Sequence, residues 1–141
     1  MTQGKSALAM VAMLFAAAHF PARAQAAPDM VLSGHCQYPD RVLRFQSQTA
    51  LLPCDTLTIR RDGQGATLDF SRRSWGTAIR LTGDMPGDRM SIGSLSLRDG
   101  APVAATGTCE IFYANGNVSV VSCLAKAGSR SYATNFVPSH F

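Results

Sequence analysis

The sequence predicts an all-β fold: a single small antiparallel domain of about eight or nine strands, built as a meander barrel or a two-sheet sandwich and held by two disulfides. Three observations point there. Beyond residue 26, short runs alternate apolar and polar side chains with a period of two, and none carries a convincing helical period. Gly, Asp, Asn and Pro interrupt those runs at the spacing of turns. Cys36, Cys54, Cys109 and Cys123, an even set, all lie in this same part of the chain.

The first 26 residues read as a signal peptide. Lys5 supplies the positive start, Ala7 to Phe20 is the apolar stretch, and Pro21 breaks it before the small-x-small site Ala24-Gln25-Ala26. Cleavage is expected after Ala26, with Ala24 as the alternative. The apolar stretch falls short of the ~20 residues a spanning helix needs, and no later segment comes close. "LSGHC" (32–36) is not a lipid-anchor site, because His35 separates Gly34 from Cys36. The remaining residues 27–141 form one exported β-domain, periplasmic or secreted and bacterial in the character of its leader, with a tail fraying from about residue 137. Without Lys5 and Arg23, the 13 basic residues become 11 against 9 acidic, a net charge of +2. That is too little for a surface that tracks phosphates, so no nucleic-acid partner is expected.

Each element has its own signature. "RVLRFQSQ" (41–48) is a candidate strand bracketed by Cys36 and Cys54. "LTIRRDGQGATLDFSRR" (57–73) is a hairpin with strands 57–61 and 66–72 around a four-residue turn, Asp62 to Gly65. That register sets Leu57 opposite Phe70 and Ile59 opposite Leu68 on an apolar face, with Thr58 opposite Asp69 and Arg60 opposite Thr67 on a polar one. The next hairpin, 77–100, turns over Gly83 to Asp88. Its return strand changes phase between Met90/Ile92 and Leu95/Leu97, and a β-bulge at Gly93-Ser94 would return both pairs to the core. In "TGTCEIFYANGNVSVVSC" (106–123), Asn115-Gly116 is the strongest hairpin signal in the chain. A three-residue loop or a bulge would bring Cys109 directly opposite Cys123.

The favoured pairing is therefore Cys36–Cys54 with Cys109–Cys123. Intervals of 17, 54 and 13 residues between successive cysteines suit neither a redox C-x-x-C pair nor a zinc site. "SGHC" (33–36) and "TGTC" (106–109), each followed by a second Cys and later by "ATLDF" or "YATNF", also suggest an internal repeat with two equivalent disulfide units.

Catalytic constellations are scarce. No G-x-S-x-G elbow occurs, and beyond the leader the histidines are His35 and His140. Glu110 and turn-bound Asp62, Asp84, Asp88 and Asp99 offer no evident acid/base pair. No enzyme, cofactor or metal is expected. The leading expectation is a non-catalytic binding or interaction module for a protein, glycan or small molecule. Arg72, Arg73, Trp75, Arg130 and Tyr132 form its possible surface, pairing arginine forks with aromatic faces. The alternative is a secreted inhibitor of a lysozyme or protease. "AGSRSY" (127–132) would then be an exposed loop with Arg130 as its arm, faintly similar to the glycine-serine-tyrosine loop of bacterial lysozyme inhibitors but one residue different in spacing. A hydrolase using His35 ranks last.

Overall fold

A computed structural model of the chain describes residues 28–140 together with Ala18, Phe20 and Pro21. The expected signal peptide and its cleavage site lie outside the described residues apart from those three. From residue 28 on, the chain runs β1 (Met30–Cys36), α1 (Asp40–Leu43), β2 (Thr49–Leu51), β3 (Thr56–Asp62), β4 (Gly65–Arg72), β5 (Gly76–Asp84), β6 (Arg89–Leu97), β7 (Val103–Ala104), β8 (Thr106–Ala114), β9 (Asn117–Ala127) and β10 (Arg130–Pro138).

Eight of these strands make a closed up-and-down barrel in the order β1-β3-β4-β5-β6-β8-β9-β10, with β10 pairing back onto β1. The barrel alternative is thus the one the chain adopts. β2 lies outside it, parallel to β10, and β7 lies beside β6. An eight-stranded barrel has an interior just wide enough for side chains to fill. Leu57, Leu68, Phe70, Ile79, Leu81, Met90, Leu95, Val121 and Phe136 fill this one, each 2 % exposed or less. Each contributes about 1.5–3 kcal/mol by burial. Outward positions on β3, β4 and β5 such as Arg60, Thr67, Arg80 and Thr82 are polar, whereas Phe112 on β8 and Leu124 on β9 are apolar and exposed. None of the described helices is long and apolar enough to cross a membrane.

The expected β3–β4 register holds at all four pairs. The turn is tighter than expected: Asp62 pairs with Gly65, and Gly63 at φ +59° leads a two-residue turn. Glycine at the first central position is what the right-handed twist of a hairpin favours. Between β5 and β6, Thr82 pairs with Ser94 and Gly83 with Ile92, so Gly93 is the extra residue of the expected bulge. The bulge returns Leu95 to the core, but Leu97 remains 37 % exposed. It is the last residue of its strand, paired with Ile79 at the barrel's mouth. At Asn115-Gly116, φ values of +53° and +77° fit a two-residue type I′ turn. Register is recovered by a bulge at Ser119, and Cys109 then faces Cys123.

Both disulfides form as paired above, with Cα separations of 4.9 Å for Cys36–Cys54 and 4.0 Å for Cys109–Cys123. The candidate strand 41–48 is instead the helical turn α1 and its continuation. Pro39, with φ −62°, starts it, and its carbonyl accepts the N–H groups of Val42 and Leu43. Backbone bonds of this local kind continue to Thr49, so the strand that follows is the short β2. Residues 137 and 138 are not a loose tail. Val137 pairs with His35 and Pro138 with Gly34, which closes the barrel, and Ser139 donates its N–H to Ser33.

The two G-x-C segments are not equivalent units. Cys36 on β1 bridges toward β3 while Gly34 admits the backbone of β10, whose Val137 carbonyl a Cβ would overlap. Cys109 on β8 bridges to β9, and Gly107 admits that same strand. Moreover, β1 and β8 run in opposite directions, an odd number of steps apart around the meander. The likeness reflects a shared local need for close strand approach.

Candidate binding face

The up-and-down path gives the barrel two distinct ends. β1, β4, β6 and β9 run toward one end, which carries the 37–55 excursion and the 73–75, 98–102 and 128–129 connections. The opposite end carries the turns at 63–64, 85–88 and 115–116 together with Asp29 and Pro138.

That opposite end is pinned. Arg61 donates to the carbonyls of Gly87 at 2.8 Å and Met85 at 3.5 Å, and approaches Asp88 at 3.6 Å. The Tyr113 hydroxyl donates to Asp88 at 3.1 Å. Burial, then this bond, raises the Tyr113 hydroxyl above its ordinary pKa. Asp29–Arg60 at 2.9 Å and Arg89–Glu110 at 4.0 Å add two exposed pairs. The remaining ion pair among the described residues lies mid-barrel. There Arg80 grips Asp69 at 2.7 Å, and Thr77 also donates to that carboxylate.

The other end is open and cationic. Arg41, Arg44, Arg72, Arg73, Arg98, Lys126 and Arg130 lie there with Asp40, Asp55 and Asp99, a local balance of +4. None of the seven cations makes an ion pair among the described residues. Asp55 is occupied by the backbone N–H of Arg73 and the Thr56 hydroxyl. At the pinned end, Arg60, Arg61 and Arg89 against Asp29, Asp62, Asp84, Asp88 and Glu110 give −2. The modest net charge of residues 27–141 therefore conceals a separation of sign along the barrel.

Within the open end is an apolar depression of about 490 Å³, lined by Leu52, Trp75, Leu97, Arg98, Arg130 and Tyr132 among others. Gly76, at φ +86°, turns the chain back after Trp75. Gly100 donates to Leu97 to turn it after Arg98. These two turns bring the Arg98 guanidinium 4.7 Å from the centre of the Trp75 ring, within cation–π reach. Trp75 remains 40 % exposed. Tyr132, inward-facing on β10 and buried, forms part of the floor.

One wall belongs to the 37–55 excursion. The Tyr38 hydroxyl bonds the carbonyls of Leu52 (2.5 Å) and Ala133 (2.9 Å), and Asn135 donates its side-chain amide to the Gln37 carbonyl. Burial pushes the Tyr38 hydroxyl up to about 12.

Of the five surface residues expected from sequence, Trp75, Arg130 and Tyr132 meet in this depression. Arg72 and Arg73 share the end but do not line the depression. Leu97 and Arg98 were missed, the first assigned to the core and the second to a turn. The Ile79–Leu97 register and the short connection behind it carry the signal that places them at the mouth. The expected protruding arm at 127–132 is a tight hairpin instead. Ala127 pairs with Arg130 across Gly128-Ser129, so Arg130 begins a strand and points into the rim. The His35 ring is exposed and sits 3.0 Å from the Gln37 side chain. Among the described residues no three His, Cys, Asp or Glu side chains are grouped as a metal site requires. Comparison of the chain with protein-family models, curated proteins and solved structures returned no match.

Proposed function

We propose that this protein is a non-catalytic binding module whose contact surface is the open, arginine-rimmed end of a packed barrel. One observation carries the reading: Arg98 and Arg130, without an ion pair among the described residues, flank an apolar depression that exposes Trp75. Unpaired cations beside an exposed aromatic and aliphatic floor suit a ligand that is anionic on one side and apolar on the other. The packed interior directs attention to this rim rather than to the barrel's centre. Two disulfides are compatible with an exported protein in an oxidising compartment.

The test uses anilinonaphthalene sulfonate, an aromatic anion whose emission rises in apolar surroundings. The reading expects saturable binding that weakens about fivefold or more in Arg130→Ala and in Trp75→Ala. Undiminished binding by both variants, with circular dichroism unchanged, would count against the open end as the site.

A further inference from the structure

Exposed apolar side chains accompany the cations at the open end. Phe45, just after α1, is 57 % exposed, Trp75 40 % and Leu97 37 %. Phe45 follows α1, Trp75 lies in the 73–75 connection and Leu97 ends β6, so three separate segments of chain contribute to this end. A protein partner would have to oppose each of these groups in one fixed register. A fluid layer of lipid headgroups meets all of them together, phosphates against arginines and aromatic rings at headgroup level. The +4 of this end and the −2 of the far end would orient the molecule before contact.

Resting on the reading of the open end as the contact surface, we infer that its partner is an anionic lipid bilayer, bound peripherally. Arg72, Arg73, Arg98 and Arg130 face the lipid phosphates, and Phe45 and Trp75 seat in the interface. The polar outer faces of β3, β4 and β5 stay in water.

Trp75 is the chain's single tryptophan, so its emission reports from the rim itself. The experiment titrates the full chain with vesicles of equal parts phosphatidylglycerol and phosphatidylcholine, with phosphatidylcholine alone, and with soluble polyglutamate. A blue shift of Trp75 on the anionic vesicles only is expected. Each cation near such a surface contributes about fivefold in partitioning, so Arg72→Glu/Arg130→Glu should weaken binding tenfold or more. Arg72→Lys/Arg130→Lys should stay within about twofold, since a headgroup layer reads charge and not the planar fork.

An equal shift on neutral vesicles, or a charge-reversal variant that binds as well as wild type, overturns the lipid inference. So does a response to polyglutamate with none to anionic vesicles, which would assign an acidic polypeptide instead. If the dye still binds at the mouth while the vesicles do not, the lipid inference alone fails. If neither moves Trp75, the reading of the open end falls with it.

Discussion

The two ends of this barrel are made from the same kind of strand termini and behave as opposites. At the pinned end every cation has an ionic partner, and Arg61 ties the 85–88 connection to β3 through two carbonyls and a carboxylate. The open end carries seven cations with no ion pair among the described residues, two of them lining an apolar depression, and the longest connection is held by Tyr38 and a disulfide. Self-satisfied charge fixes geometry. Unsatisfied charge left in water beside exposed aromatic surface is available to something else. The difference teaches where to look for function in a molecule whose interior is already full.

The largest expected effects come from the disulfides. Removing either bridge with paired alanines should cost about 3 kcal/mol in the chain-entropy account. The consequences should differ by place. Without Cys109–Cys123, which joins two buried core positions, the whole barrel should melt earlier. Without Cys36–Cys54, hydrogen exchange should rise first in residues 37–55 while residues 63–64 and 85–88 stay protected. The opposite order would break the contrast between the ends.

Next in size is a matched pair of arginines. Arg61→Ala leaves the Gly87 and Met85 carbonyls without their donor and Asp88 with Tyr113 alone, and should lower unfolding free energy by about 1–2 kcal/mol. Arg130→Ala should change it by about 0.5 kcal/mol or less, as expected for an exposed side chain that makes no ion pair among the described residues. Equal losses measured by urea unfolding would mean that the open end is also built for stability.

Tyr38 gives the open end a pH dependence. Its hydroxyl titrates at about 12 in the fold against an ordinary 10.0, so the folded state favours the protonated form. Its contribution is complete below pH 10 and is lost as pH rises through 12. Tyr38→Phe should flatten that alkaline limb and cost about 1 kcal/mol at neutral pH. An unchanged limb would show that Tyr38 does not hold the excursion. Smallest of all, Arg72→Glu/Arg130→Glu should leave stability unchanged or raise it by about 0.3 kcal/mol through relief of like-charge repulsion.

Much of the body was legible because period-two alternation and turn chemistry are local. The β3–β4 register follows from Leu57, Ile59, Leu68 and Phe70, and the bulge at Gly93 from one phase change in β6. Cys109–Cys123 follows from strands that a local turn places side by side; Cys36–Cys54 forms as paired although the strand they were expected to bracket does not. The 41–48 segment was misread because α1 is too short to display a helical period, and Pro39 was the better guide. The mouth was only half legible. Trp75, Arg130 and Tyr132 stood out by residue type, but Arg98 reaches Trp75 through a non-local approach that no spacing encodes. Charge separation was hidden for the same reason: composition sums the charges, whereas the meander decides at which end each one lies.

The account's central claim is that the open end is the contact surface, and amide chemical-shift mapping tests it most directly. On titration with anilinonaphthalene sulfonate, perturbations should concentrate in residues 50–53, 73–78, 97–99 and 129–132. Perturbations centred on 63–64, 85–88 and 115–116, or none at saturating dye, would contradict it.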